Sequence, residues 1–108
     1  MVINSIIYVA EVDENPVGFI SLRIESKVEE ILSPNIKCVF VSDFIVNSEF
    51  RGKGIGRLLM AKADEYAKEK NISYIKLSVF SANTNAKEIY NKLGFEDQNV
   101  TMIKKLNH

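Results

Sequence analysis

The sequence has few of the residues that build disulfides, metal sites and nucleophilic catalytic sites. It contains one cysteine, Cys38, and one histidine, the terminal His108. One cysteine forms no disulfide within the chain, and a Cys/His metal site cannot be assembled from this set. A serine or cysteine nucleophile would depend on a terminal histidine, which is expected to fray. We therefore expect no metal, and we interpret Cys38 as a buried inert thiol rather than a nucleophile.

Net charge and long hydrophobic runs are also absent. Lys plus Arg balances Asp plus Glu at 14 each, and this neutral total argues against nucleic acid as a partner. No segment approaches the roughly 20 apolar residues that a membrane span needs. The start, MVINSIIYVAEV, lacks the basic leading region of a signal peptide. We expect a cytoplasmic protein without a membrane partner, folded as a single domain over residues 1–108.

The first half of the sequence predicts antiparallel strands. Residues 6–25 have the pattern of two strands joined by a turn at Asp13–Pro16. Residues 27–35 are predicted to form a polar connection. The run at 36–47 is β-rich with little polar alternation, which is typical of a central strand buried on both faces.

The second half alternates helices and strands. A helix is predicted to end near Lys70, followed by a strand within 72–80, a short helix within 83–95 and a final strand at 100–106. The link from the central strand through the first helix predicts a parallel crossover. The expected fold class is α/β, a central mixed sheet flanked by helices. The apolar stripe predicted for the first helix consists of Ile55, Leu58, Leu59, Ala63, Tyr66 and Ala67.

A basic, glycine-rich stretch separates the central strand from that helix. Its members are Arg51, Gly52, Lys53, Gly54, Gly56 and Arg57. A tight turn usually needs one glycine, whereas three leave bare main chain for a ligand, and the first turn of a helix attracts anions such as phosphate. The stretch therefore predicts an anion site, with a purely structural turn as the alternative. Its spacing fits neither a Walker loop nor a dinucleotide fingerprint, because Arg57 directly follows Gly56.

Two motifs together resemble the GNAT superfamily of N-acetyltransferases. The first is Arg51-x-x-Gly54-x-Gly56 behind a strand ending in FIV. The second is that family's N-x-x-A-x-x-x-Y-x-x-x-G-F pattern, formed here by Asn83, Ala86, Tyr90, Gly94 and Phe95. The motifs stand in the family's order and cover residues 39–95. The resemblance implies a GNAT-like fold, N-terminally abbreviated because the usual first strand and two helices are not found before the hairpin.

The resemblance implies acetyl-CoA as cosubstrate and direct acetyl transfer to a primary amine within a ternary complex. It places the CoA diphosphate on the amides of the loop and the pantetheine arm along the end of the central strand, for which an ordinary core strand is the alternative. Asn83 is implied to contact the CoA arm, and capping of the next helix explains it equally well. The implied CoA-binding residues are Phe44, Ile45, Val46, Arg51, Gly52, Lys53, Gly54, Ile55, Gly56, Arg57 and Asn83.

The chemistry of acetyl transfer assigns roles to a few further groups. The N–H of Phe44 or Ile45 is the candidate donor to the oxyanion. Tyr90 matches the family tyrosine and would give a proton to the leaving thiolate, with a packing role as the alternative. Asp43 is the candidate catalytic carboxylate, with a structural role as the alternative.

Strand alternation bears on the role of Asp43. It predicts that Asp43 shares a face with Val39, Val41 and Ile45, where a carboxylate must be paired, solvated or functional. The glutamate that some family members carry earlier in this strand is absent here, where Phe40 and Ser42 stand. Glu11 and Glu25 are remote alternatives.

The acceptor side is less defined by the sequence. The resemblance implies a small-molecule or peptide amine as the acceptor. The family's missing N-terminal part normally builds one wall of the acceptor cleft. An alternative function is therefore a CoA-binding or protein-interaction module with little or no activity. The strand edge that this part would cover also predicts a homodimer, since open edges invite pairing.

Overall fold

The computed structural model describes residues 4–26 and 37–107. The chain divides after Ser78 into two compact units. The elements of the first unit are strands β1 (Ser5–Val12), β2 (Asn15–Glu25) and β3 (Cys38–Val46), a 3₁₀ turn (Ser48–Phe50), helix α1 (Ile55–Glu69) and strand β4 (Ile75–Lys76). Helix α2 (Thr84–Lys92) belongs to the second unit. The predicted connection at 27–35 lies outside the described residues.

The sheet of the first unit is mixed, as the sequence predicts. Its strand order is β1-β2-β3-β4, with antiparallel β1–β2 and β2–β3 pairs and a parallel β3–β4 pair. The β1–β2 turn consists of Asp13 and Glu14, both at positive φ (50° and 68°). Two consecutive residues of positive φ match the twist of a two-residue hairpin.

The core lies between the sheet and one face of α1. The fully buried side chains from the strands include Ile20, Leu22 and Val39. The residues of α1 that are buried are Leu59, Met60, Ala63, Tyr66 and Ala67. The predicted stripe is therefore mostly confirmed, but Leu58 was placed wrongly, since it is 70% exposed. The buried stripe is centred on Leu59 and Ala63, and this rotation turns Leu58 outward and Met60 inward.

Cys38 is fully buried, as the sequence predicts. Burial raises the pKa of its thiol, and the nearby Glu25 carboxylate raises it further, although Lys76 lowers it. A thiol kept protonated in this way is a poor nucleophile.

The second unit is built around α2 and the segment that follows it. Gly94 follows the C-cap of α2 and has a φ of 99°, and the N–H of Phe95 donates to the carbonyl of Tyr90 at 3.0 Å. Lys87 forms an ion pair with Asp97 at 3.3 Å.

The final strand predicted at 100–106 was wrong. Residues 95–107 carry no strand, and Met102 and Ile103 are 87% and 95% exposed. The preference of Val and Ile for strands reflects packing on a sheet, so it does not fix a strand where that packing is not formed.

Candidate functional site

The end of β3 is fixed to the glycine-rich loop by short-range polar contacts. The Oδ1 atom of Asn47 accepts a hydrogen bond from the N–H of Glu49 at 3.2 Å and so caps the 3₁₀ turn. The N–H of Asn47 itself donates to the carbonyl of Val17 in β2 at 2.7 Å. The Nε of Arg51 reaches back and donates to the carbonyl of Val46 at 3.1 Å. These bonds hold the entrance of the loop against the sheet.

Glycine is required at the three positions of the loop for two different structural reasons. Gly52 and Gly54 have φ values of 77° and 85°, a left-handed conformation that disfavours other residues. A Cβ at either position would meet no atom within 4 Å, so the main chain there borders open space. Gly56 lies within α1, and a Cβ there would stand 3.3 Å from Cζ of Phe44. Gly56 thus makes room for a side chain of β3.

The start of α1 offers donors to an anion. Gly54 is the N-cap and provides no side-chain cap. The first bond closing the helix runs from the N–H of Leu58 to the carbonyl of Gly54 at 3.1 Å. The N–H groups of Ile55, Gly56 and Arg57 precede this bond, and such first-turn groups have no acceptor within their own helix. Together with the positive end of the helix dipole they form a site suited to phosphate.

The basic side chains of the loop differ in their surroundings. Arg51 is tied to β3 through its Nε, as described above. The ammonium of Lys53 lies 5.2 Å from the centre of the Phe50 ring, in a cation–π contact. Arg57 is exposed on the first turn of α1. The three predicted cations therefore all lie in or next to the loop, and Arg51 is the one among them whose side chain is bonded to the main chain of β3.

A bulge at Ser42 divides β3 into two parts. Ser21 pairs with Asp43 and Leu22 with Val41, so Ser42 is the extra residue. Its hydroxyl donates to the carbonyl of Ser21 at 3.1 Å. The sequence analysis missed this bulge. Ser42, the first polar residue after a run of apolar ones, was the available signal.

The bulge corrects the predicted position of Asp43. One extra residue shifts the alternation, so Asp43 does not share the face of Val39 and Val41. The prediction that Asp43 and Ile45 share a face is correct. Asp43 is exposed opposite Ser21. Within the described residues no hydrogen bond or ion pair holds its carboxylate. Water therefore solvates this charge, and burial imposes no requirement for a partner.

The bulge also redirects the main chain at the end of β3. The bond from Asn47 to Val17 makes their pair a hydrogen-bonded one, and antiparallel alternation then directs the main-chain groups of Ile45 toward β2. Those of Phe44 and Val46 point to the opposite side, the side of β4. The ladder between β3 and β4 contains the pairs Val39–Ile75 and Phe40–Lys76, so it ends well before this point. Within the described residues, Phe44 and Val46 therefore lie beyond the last β3–β4 pair.

The second unit carries the other predicted site residues. The Oδ1 of Asn83 accepts from the N–H of Ala86 at 3.1 Å and caps α2, which is the structural alternative considered for this residue. The ring of Tyr90 packs edge-on against Phe95, with 5.8 Å between centroids. Burial raises the pKa of the Tyr90 hydroxyl, so it keeps its proton at neutral pH.

An apolar depression that the sequence did not predict opens at the hairpin end of the first unit, with a volume of about 410 Å³. Its lining residues are Val9, Pro16, Val17, Gly18, Phe19, Ile45 and Asn47. Among the residues that the structure describes, no cluster of three metal-binding side chains occurs. The helices within the described ranges are also too short or too polar to cross a membrane.

Comparison with known families identifies one family for this chain. The family model described as Acetyltransferase (GNAT) family matches residues 3–95. The chain belongs to this family. An uncharacterized N-acetyltransferase of Methanocaldococcus jannaschii is 38% identical over 95 residues, which are 86% of this chain and 40% of the relative. The thialysine N-epsilon-acetyltransferase of Bos taurus is 36% identical over 59 residues, 55% of this chain and 35% of that enzyme.

Solved structures share the fold. A crystal structure of a mutant BH1408 protein from Bacillus halodurans has a TM-score of 0.86 and 29% identity to this chain. The match covers 95% of this chain and 67% of the BH1408 chain. The aminoglycoside N-acetyltransferase AAC(6')-Iy, solved in complex with CoA, has a TM-score of 0.85 at 19% identity and covers 99% of this chain and 79% of its own. The expected GNAT-like fold is therefore confirmed. The chain spans less than half the length of the two sequence relatives named above.

Proposed function

We propose that this chain transfers an acetyl group from acetyl-CoA to a primary amine, by direct attack of the amine on the thioester within a ternary complex. The observation that carries this proposal is the junction of β3 and α1. There two glycines of positive φ border open space directly before three first-turn N–H groups. Family membership supports the same reaction, and the amine acceptors named for thialysine and aminoglycoside acetyltransferases support the acceptor class.

The first step of the proposal is binding of the CoA diphosphate at this junction. The N–H groups of Ile55, Gly56 and Arg57 would donate to its oxygens, and the helix dipole adds a favourable field. Charge-assisted bonds of this kind are stronger than neutral ones. Lys53 and Arg57 supply the full positive charges nearby. The open space at Gly52 and Gly54 lets a bulky anion approach the main chain.

The second step is alignment of the thioester along β3. The family resemblance supports an extended pantetheine arm along the end of β3, where it would pair with the main chain as an added strand. The two predicted oxyanion donors point in different directions, since alternation directs the N–H of Ile45 toward β2 and that of Phe44 away from it. Such a donor stabilises the charge that develops in the transition state.

The third step is movement of two protons. The leaving thiolate would receive its proton from the hydroxyl of Tyr90, whose raised pKa keeps it protonated. A lysine-like acceptor has a pKa near 10.4, and freeing its amine at pH 7 costs about 4–5 kcal/mol. The exposed carboxylate of Asp43 is the proposed group that receives this proton, directly or through water.

The test is consumption of acetyl-CoA with a panel of amines: polyamines, aminoglycosides, amino acids, peptide N-termini and lysine peptides. Release of free CoA thiol together with mass-identified N-acetyl product is the expected result. The Asp43→Asn variant should react more slowly at neutral pH and approach the wild-type rate at high pH, where the amine is already neutral. Turnover equal to wild type at neutral pH would remove Asp43 from the proposal.

The alternative function has a distinct outcome in the same assay. The chain covers only part of its relatives' length, so it is also proposed as a CoA-binding module with little or no activity. Measured CoA binding without consumption of acetyl-CoA by any amine would favour this alternative. Absence of both binding and turnover would contradict both functions.

A further inference from the structure

Strand β1 presents an open edge within residues 4–26 and 37–107. It pairs with β2 on one side, and in the described part of the chain no strand pairs with its other side. The N–H of Ile24 donates to the carbonyl of Asn4 at 2.7 Å. Antiparallel alternation then directs the main-chain groups of Asn4, Ile6, Tyr8 and Ala10 toward β2. The groups that point outward from the edge are those of Ser5, Ile7, Val9 and Glu11.

Most of the edge lacks the features that usually block pairing. Sheet edges are commonly protected by lysine, proline, a short strand or a bulge. The register of β1 with β2 shifts only between Ala10 and Glu11, near the end of β1. β1 reads SIIYVAEV and contains neither lysine nor proline. Its only charge is Glu11, near one end. Ile7 and Val9, at the centre, are 62% and 54% exposed.

The sequence of β1 is complementary to itself in one antiparallel register. When two β1 strands pair antiparallel, both residues of each hydrogen-bonded pair must have outward-pointing main-chain groups. These residues all have odd numbers, so the twofold axis passes through a residue of the strand and not between two residues. An axis at Tyr8 sets Ile7 opposite Val9 of the other copy and Ser5 opposite Glu11. An axis one residue later, at Val9, sets the Glu11 carboxylate opposite Ile7. The axis at Tyr8 therefore pairs apolar with apolar and polar with polar, and it brings no like charges into opposition.

We propose that two copies of this chain pair antiparallel through β1, with the twofold axis at Tyr8. The four strands of each copy then form one continuous sheet. The side chains of Ile7 and Val9 from both copies form an apolar cluster on the face that carries Ile45. The dimer satisfies the outward N–H and C=O groups of Ser5, Ile7, Val9 and Glu11. It requires neither CoA nor an amine, so it is independent of the proposed reaction.

The register is tested by disulfide trapping. Ile7→Cys and Val9→Cys chains are mixed. With the axis at Tyr8, the two new cysteines form a hydrogen-bonded pair, whose Cα separation of about 5.5 Å suits a disulfide. We expect mild oxidation to link the mixture into a 7–9 dimer, mapped by mass spectrometry, and to link neither variant efficiently alone. Dominant self-linking of Val9→Cys would indicate the axis at Val9, and dominant self-linking of Ile7→Cys an axis at Ile7. Either result overturns the proposed register.

The interface itself is tested by oligomeric state. Wild-type chain is expected to have the mass of a dimer by light scattering across a concentration series. Val9→Lys should be monomeric with an unchanged circular dichroism spectrum, since it places two lysines in the paired edge. Ile45→Lys is the matched control, a charge on the same face in β3, and should remain dimeric. A monomeric wild type, or dimers that persist in Val9→Lys, would overturn the proposal.

Discussion

The ring of Phe44 in β3 lies against Gly56 in the first turn of α1, with Cζ of Phe44 only 3.3 Å from the position that a Cβ on Gly56 would occupy. Cγ2 of Val46 would lie 3.8 Å from the same point. The absence of a side chain at Gly56 therefore allows the strand and the helix to pack closely.

Gly56→Ala is expected to destabilise the chain by about 1 kcal/mol. Alanine gains roughly 0.5–1 kcal/mol of helix propensity, and crowding against a packed side chain costs about 1–3 kcal/mol. Urea unfolding measures the difference. In a Phe44→Leu background the same change should be neutral or stabilising, because the crowded ring is gone. An equal cost in both backgrounds would show that Phe44 does not set the constraint.

Gly54 and Gly94 form a matched pair for testing the loop. Both have positive φ, 85° and 99°, and a Cβ at either would meet no atom within 4 Å. Substitution by valine should therefore cost a similar amount of stability, on the order of 1–2 kcal/mol, at both positions. Gly54→Val should also lose CoA affinity by tenfold or more in calorimetric titration, whereas Gly94→Val should retain it. Equal CoA affinity in the two variants would contradict a diphosphate lying on the loop.

Tyr90→Phe is expected to lower kcat by about 10²-fold with little change in CoA affinity. A positioned general acid typically contributes 10²–10⁴-fold, and phenylalanine keeps the edge-on contact with Phe95. Steady-state kinetics and CoA titration on the same preparation provide both numbers. Parallel losses of turnover, CoA affinity and unfolding free energy would instead make Tyr90 a packing residue.

Stability should fall at alkaline pH. Burial raises the pKa of Cys38, Tyr66 and Tyr90, so the folded state holds these protons more tightly than the unfolded chain does. The resulting stabilisation is complete below the ordinary pKa values of about 8.5 and 10, and it is lost as pH rises through the folded values. The free energy of unfolding from urea titrations should decrease between pH ~8 and pH ~11. A flat or rising profile over this window would be inconsistent with these shifts.

The sequence allowed the local features of the fold to be predicted. The hairpin, α1 and the glycine loop all follow from residues close together in the chain, whereas the predicted burial of β3 on both faces holds only near its start. Gly54 shows why, since its left-handed φ is a local requirement that glycine meets best. The resemblance to the family extended these local predictions to the sheet as a whole.

Features that depend on distant partners were predicted less well. The bulge at Ser42 depends on pairing with Ser21, and missing it placed Asp43 on the wrong face. β4 is shorter than the predicted strand, because pairing with β3 stops at Phe40–Lys76. The contact of Phe44 with Gly56 was also missed, since strand alternation had been counted through the bulge.

The most direct test of the account is an NMR titration of ¹⁵N-labelled chain with CoA. We expect the largest amide shifts at residues 52–57, with further shifts at Phe44 and Val46. Amides of the β1–β2 turn at Asp13 and Glu14 should change little. Absence of shifts at 52–57 with saturating CoA, or shifts concentrated elsewhere, would show that bare main chain between β3 and α1 does not hold the diphosphate.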